Sequence, residues 1–324
     1  MQNKSLLFFL AFIFFQTTLF SSNILTDYRI HGIQNIEKHM DKELAKKEYW
    51  KQYLKQISTP FGYLESYQNI LKCDKEKSIL YVYKKDANNT WIETREYSAY
   101  TGKNRGNKFK EGDLRTPVGI YNITKKISNV DSFYGPLALV TSYPNTYDKY
   151  NGKNGHGIWI HGLPTDQERD KFTKGCIAIQ NKSIKCLDKH IDITKTLLII
   201  DEKSIKSTVS KDDLATLLAN LYAWRYAWLY NNLNDYLNFY STKFVRFDGK
   251  IYNAFKSYKT RIFKKQESKK IIFFNLNVIA YPNTKDIYQI SFTEYYKSSS
   301  FEFSGDKILI VKLTANSMKI LTEK

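Results

Sequence analysis

The sequence predicts an α+β protein in three parts: an N-terminal helical arm, a β-rich middle domain, and a C-terminal domain of helices followed by a strand meander. Three observations predict it. At 324 residues the chain exceeds one average domain of about 100–200 residues. A hydrophobic fraction of 42%, with 25 Tyr, 20 Phe and 5 Trp, argues for packed sheets and against disorder. The spacing of apolar residues also changes along the chain, from three and four to two, then back to three and four, then to two again.

The first 22 residues read as a signal peptide: Lys4, an apolar run from Leu6 to Phe15, then Thr17, Thr18, Ser21 and Ser22. That run is short of the about 20 residues of a membrane span, so cleavage is favoured over a retained anchor, and the expected location is the periplasm. Residues 23–74 form the arm. Ile33, Ile36, Met40 and Leu44, then Trp50, Tyr53, Leu54 and Ile57, mark an amphipathic helix with a break near Ala45, stopped by Thr59-Pro60-Phe61-Gly62. So apolar an arm should pack on the middle domain or on a second copy of itself, as a homodimer. Residues 75–202 alternate with a period of two, in Ile79-Leu80-Tyr81-Val82-Tyr83, Trp91-Ile92-Glu93-Thr94 and Gly119-Ile120-Tyr121-Asn122-Ile123, and close with Thr196-Leu197-Leu198-Ile199-Ile200-Asp201. The last domain, 203–324, begins with a polar linker over 203–212. It continues with a helical stripe of Leu214, Leu217, Leu218, Leu221, Trp224 and Trp228 capped by Ser210, a second helical stretch from Asn232 to Tyr240, and strands around Ile271, Ile287 and Ile308.

The net charge of +18 often signals nucleic acid. Export argues against that partner, and no homeodomain, zinc-finger or aromatic RNA-binding pattern is present. A basic surface facing an anionic glycopeptide or a membrane fits better, with plain solvation by lysine as the alternative. No His-Glu-x-x-His, Cys-x-x-Cys or glycine-rich nucleotide loop occurs, so neither a metal nor a cofactor is expected. Three cysteines, Cys73, Cys176 and Cys186, cannot all pair. Cys73 reads as a strand or turn residue without chemistry and Cys186 as a buried apolar one. A Cys176–Cys186 disulfide would silence Cys176.

The chemistry concentrates in Ile160-His161-Gly162 and Thr173-Lys174-Gly175-Cys176. A thiol attacks a carbonyl as thiolate, and an imidazole can take its proton, so Cys176 and His161 are the minimal kit for acyl transfer. Gly175 permits a tight turn in which its own N–H and that of Cys176 face a developing oxyanion. Arg115 could hold a substrate carboxylate or pair with Asp113 or Glu111. Lys174 could favour the thiolate, bind substrate carboxylates or face solvent. Trp159 could wall the cleft or pack in the core, and His156 is structural or on the pocket rim. His31, His39 and His190 read as solvated.

These residues resemble the L,D-transpeptidase catalytic domain (YkuD) family over roughly 75–202: a histidine, a gap of about fourteen to seventeen residues, Ser/Thr-His-Gly-Cys and a following Asn. His161, Thr173, Gly175-Cys176 and Asn181 match, whereas Lys174 stands where most members carry a second histidine. Tyr100-Thr101-Gly102, Gly112 to Tyr121 and Gly155 to Trp159 resemble the family's preceding blocks. The resemblance implies that the Gly162 carbonyl orients His161 and that the substrate is a peptidoglycan stem tetrapeptide, cut between meso-diaminopimelate and the terminal D-Ala through a Cys176 thioester. Water as acceptor makes an L,D-carboxypeptidase, an amine an L,D-transpeptidase. The tail resembles an NTF2-like domain, with a wall or protein ligand its expected partner. The whole layout is similar to the cell-shape L,D-carboxypeptidases of spiral epsilonproteobacteria, which favours hydrolysis. A non-enzymatic wall-binding scaffold is the contrasting class.

Overall fold

The structure, a computed structural model, describes residues 24–165, 170–203, 209–315 and 317–324. The expected signal peptide and most of the linker's first half lie outside the described residues. Among the described residues, no helix is long and apolar enough to cross a membrane.

A helical segment over 24–31 leads into α1 (Ile33–Leu44) and α2 (Lys47–Tyr53). The break falls where the apolar spacing slips, at Ala45 and the extended Lys46, and Trp50 Nε1 spans it by donating to the Leu44 carbonyl at 2.7 Å. The arm departs from expectation in where it packs. It lies on the C-terminal domain, within the same chain, where Trp50, Leu54 and Tyr63 join the core around Leu214, Leu218 and Trp224. Two ionic contacts fix it there. Asp41 takes Arg225 at 2.7 Å and the Tyr230 hydroxyl at 3.0 Å, and Lys47 meets Asp212 at 2.6 Å. The chain then supplies β1 (Tyr63–Leu64), paired antiparallel with a strand over 200 positions later, Tyr63 opposite Val278. Gly62, at φ +110°, is needed at this entry because a Cβ there would stand 2.1 Å from the Val278 carbonyl oxygen.

The middle of the chain closes into an eight-stranded barrel. In sequence its strands are β2 (Asn69–Asp74), β3 (Ile79–Lys85), β4 (Trp91–Tyr100), β5 (Gly119–Ile127), β6 (Ala138–Thr141), β7 (Trp159–His161), β8 (Ile177–Ile179) and β9 (Thr196–Asp201). Around the barrel the order is β2-β3-β4-β8-β7-β6-β5-β9, closed by β9 lying parallel to β2. Two short helices, α3 (Thr146–Tyr150) and α4 (Asn181–His190), cover connections.

The unbroken apolar run of β9 follows from its being buried on both faces. Leu198 and Ile200 point into the barrel with Leu71, Cys73 and Tyr121, while Leu197 and Ile199 point outward with Ile70 and Ile120 onto Leu64, Ile279 and Tyr281. One strand thus serves two cores, and its outer face is the seam between barrel and C-terminal domain.

That domain comprises α5 (Lys211–Leu229), α6 (Leu233–Asn238), α7 (Tyr252–Phe263) and the strands β10 (Lys269–Ala280), β11 (Ile287–Ser298), β12 (Glu302–Thr314) and β13 (Ser317–Glu323). With β1 they form one antiparallel sheet, β1-β10-β11-β12-β13. Ser210 Oγ accepts the backbone N–H of Asp212 and Asp213, the cap expected from sequence. Helix α7 gave no clear signal because lysines and Arg261 interrupt its apolar spacing, yet Phe255, Lys259 and Phe263 are all buried.

Candidate active site at the barrel rim

Strands β7 and β8 run parallel with Ile160 opposite Ile177 and His161 opposite Ala178. This register places Cys176 at the mouth of β8, one strand away from the histidine. His161 is 1% exposed, and its Nδ1 lies 2.7 Å from the Gly162 carbonyl. A carbonyl only accepts, so Nδ1 carries the hydrogen and Nε2 is the acceptor of the neutral ring. Tyr134 stands edge-on to the imidazole at 5.0 Å and 88°, and its carbonyl accepts the Gly162 N–H at 2.9 Å. The Gly162 position has no room for a side chain, since a Cβ would stand 2.3 Å from Asn181 Oδ1. That oxygen instead accepts Leu163 N–H at 2.8 Å and fixes the turn after the histidine.

Cys176 is half-buried, and its thiol donates to the Gly157 carbonyl at 3.5 Å. The turn before it is clamped by Thr173, whose hydroxyl donates to the Cys176 carbonyl at 2.7 Å and accepts the Gly175 N–H at 3.0 Å. This corrects the expected role of Gly175: its N–H is committed to Thr173, so it is not the oxyanion donor anticipated from sequence. What Gly175 contributes is shape. Its φ is +142°, and a Cβ would stand 2.9 Å from the Arg115 carbonyl and 3.2 Å from Ile158 Cδ1.

The loop over 102–118 forms the other wall and is pinned from below. Thr173 bridges to Gly102, and Thr116 Oγ1 accepts Gly102 N–H at 2.8 Å. Lys75, 2% exposed, donates to the carbonyls of Gly106 at 2.7 Å and Thr116 at 2.9 Å and pairs with Glu202. Asp113 gathers the N–H groups of Phe109, Lys110 and Arg115 and the Lys108 ammonium at 2.8 Å. Burial opposes its charge, but Lys108 and these N–H groups prevail and hold its carboxyl at about 2. Lys108 therefore occupies Asp113, and the expected alternative of an Arg115 pair with Asp113 or Glu111 does not form. Arg115 makes no ion pair among the described residues, and its Nε is buried without a hydrogen-bond partner.

Of the other residues singled out, Trp159 is half-buried and packs at 5.1 Å on Tyr134, walling the site where core packing had been favoured. Lys174 is exposed beside the nucleophile turn. His156 is at the surface, 3.6 Å from Glu111. Tyr134, Thr173 and Lys75 are the residues that sequence reasoning left out as contributors. Thr173 stood in the motif and was passed over, while Tyr134 and Lys75 carry no local signal because their partners are distant in sequence.

The three thiols are unpaired with one another. Cys73 is sealed in the barrel, and burial pushes its thiol up to about 12. Cys186 departs from the buried role expected of it. It lies half-exposed on α4, where the Tyr97 hydroxyl and Arg95 lower its thiol below the ordinary value. Among the described residues, no group of three or more His, Cys, Asp or Glu side chains could hold a metal ion.

The L,D-transpeptidase catalytic domain (YkuD) family matches residues 68–200, and the Cds6 C-terminal NTF2-like domain family matches residues 216–324. The crystal structure of the helical cell shape determining protein Pgp2 from Campylobacter jejuni superposes with a TM-score of 0.79 at 38% identity, covering 86% of this chain and 99% of that one. Bd1075 of Bdellovibrio bacteriovorus superposes at 0.66 and 26% identity, covering 82% and 96%. YafK of Escherichia coli strain K12 is 28% identical over 104 residues, which is 32% of this chain and only 38% of that curated relative's length.

Proposed function

Because the chain belongs to the L,D-transpeptidase (YkuD) family, in the two-domain form with an NTF2-like tail, we propose that it is a periplasmic peptidoglycan L,D-carboxypeptidase acting on stem tetrapeptides and thereby on cell shape. The observation that carries this reading is the β7–β8 register. It brings Cys176 beside a histidine whose Nδ1 is tied to the Gly162 carbonyl, leaving Nε2 as the basic nitrogen.

In the proposed reaction His161 takes the Cys176 proton, and the thiolate attacks the carbonyl joining meso-diaminopimelate to the terminal D-Ala. The C–N bond breaks, His161 returns the proton to the departing amine, and a thioester remains. Water, deprotonated by His161, then attacks the thioester; the tripeptide carboxylate leaves and the thiol is regenerated. Arg115, with no carboxylate partner in the protein, suits a substrate carboxylate, with Lys174 and Trp159 beside it.

The similarity to Pgp2, a helical cell shape determining protein, favours hydrolysis. Incubation of disaccharide tetrapeptides with the full chain, followed by mass spectrometry, tests it. The expected product has lost one alanine. Cross-linked dimers in its place would make the chain an L,D-transpeptidase, and unchanged substrate would leave a wall-binding scaffold.

A further inference from the structure

A cleft of about 610 Å³ opens between barrel and C-terminal domain, away from the residues assigned to catalysis. We propose that it binds a peptidoglycan glycan strand through sugar hydroxyls and the carboxylates its stems carry, a reading that rests on the function proposed above and extends it to a second site.

Four observations lead there. The volume suits a short oligosaccharide rather than a single ion, falling within the about 300–1,000 Å³ typical of ligand pockets. The walls are largely polar, with Thr124, Ser142 and Thr322 offering hydroxyls that donate and accept, as sugar recognition requires. Cations outnumber anions: Lys149, Arg246 and Lys324 line the cleft against the single carboxylate of Asp306. Arg246 is partly neutralised by Asp248, but no ion pair is formed by Lys149, which is exposed on α3. Finally, Phe247 stands 62% exposed at the rim. Its ring is backed at 5.6 Å by the Arg246 guanidinium, and its backbone is fixed by donation to the Glu323 carbonyl at 3.0 Å. A rigid, uncovered aromatic face beside hydroxyls and cations suits a sugar ring's C–H face.

The cleft also has a structural link to the site. Ser142, in its wall, directly follows β6, and the preceding Thr141 bonds the Ile158 carbonyl through both its N–H, at 3.1 Å, and its hydroxyl, at 2.7 Å. Ile158 follows Gly157, whose carbonyl receives the Cys176 thiol. A polymer could therefore be held in the cleft while one of its stems enters the site, raising local stem concentration without touching the chemical step.

The test uses the full chain carrying Lys149→Glu and Phe247→Ala together. Both side chains are exposed, so the melting curve should not move. Binding is measured by co-sedimentation of the Cys176→Ala protein, with and without the two changes, against purified sacculi and against anionic phospholipid vesicles. Sacculus binding should weaken about tenfold, equivalent to about 1.4 kcal/mol, while turnover of a single disaccharide tetrapeptide by the Cys176-intact double variant stays within about twofold. Undiminished sacculus binding overturns the proposal. So does a loss confined to vesicles, which would make the cleft a lipid-headgroup site. Loss of sacculus binding in a protein whose parent never turned over a muropeptide supports the cleft and sinks the enzymatic reading alone.

Discussion

The barrel and the C-terminal domain handle polar groups in opposite ways. Inside the barrel lie aliphatic side chains such as Leu71, Leu139, Ile160 and Leu198, and the reactive groups sit at the rim where strands end. Inside the C-terminal domain, rings stack on rings, Trp224 on Tyr236 at 5.6 Å and Phe273 on Phe292 at 4.2 Å, and charges are buried among them. Lys259 is 7% exposed, with Trp228 at 4.6 Å and Tyr236 at 5.1 Å from its ammonium, and Glu294 is 3% exposed. The difference teaches where function and stability are separable. Rim residues of the barrel can be changed without opening its core, whereas the charged groups of the other domain are part of what its interior must accommodate.

The sharpest test of that separation is Cys176→Ala. Turnover and thioester formation should vanish, and the thermal melt should match the parent. Residual full activity would end the cysteine mechanism, and a collapsed melt would show the rim to be structural after all. His161→Ala should follow, with a loss of about 10²–10⁴ in rate in a steady-state assay and again little change in melting. A larger loss for His156→Ala would reverse the assignment of the two histidines.

On the other side of the comparison, Trp224→Ala empties a fully buried site and should cost about 3–5 kcal/mol in denaturant unfolding. Its effect on a soluble muropeptide, measured on whatever fraction remains folded, should be slight.

The smallest expected effect is the most specific. Burial pulls the Lys259 ammonium down to about 8, against the favourable pull of Glu323 and Glu294 and with Lys307 and Arg246 adding to the burden. A lysine with a lowered folded pKa weakens the fold fully below about 8. Between there and the unfolded value of about 10.4, the unfolded chain holds more protons, so stability rises with pH. Lys259→Met should therefore raise the melting temperature at pH 7 by a few degrees, with the gain shrinking toward pH 10. A gain that grows with pH would mean that the ammonium is stabilised by its rings and carboxylates.

The same contrast explains what could be read from sequence. The candidate site was legible because Thr173, Gly175 and Cys176 are consecutive in one turn and His161 ends the neighbouring strand, so local spacing carries the chemistry. The α+β class and the helix cap at Ser210 were legible for the same reason. The arm's true partner was not, because an apolar stripe states that a face is buried and not against what; Trp50 meets Tyr222 only through the fold, at 5.3 Å. Nor was the engagement of Gly175 N–H legible, since that depends on the rotamer of Thr173, nor the support from Lys75, whose partners Gly106, Thr116 and Glu202 are scattered over the chain.

The way β1 enters the C-terminal sheet has a consequence for the order in which the protein is made. Glu65 accepts its backbone partner Asn277 across a separation of 212 residues, so the first folded element of the chain must wait for nearly the last. The barrel lies wholly within that interval. As synthesis runs from N- to C-terminus, the barrel strands, β2 to β9, are complete before β10 exists to receive β1. Until then Ile120, Leu197 and Ile199 on the barrel's outer wall, and Trp50 and Leu54 on the arm, are without the surfaces that finally cover them. The nascent chain thus passes through a stage in which a finished catalytic unit carries two sticky flanks, and holding them apart during export is a task for a chaperone.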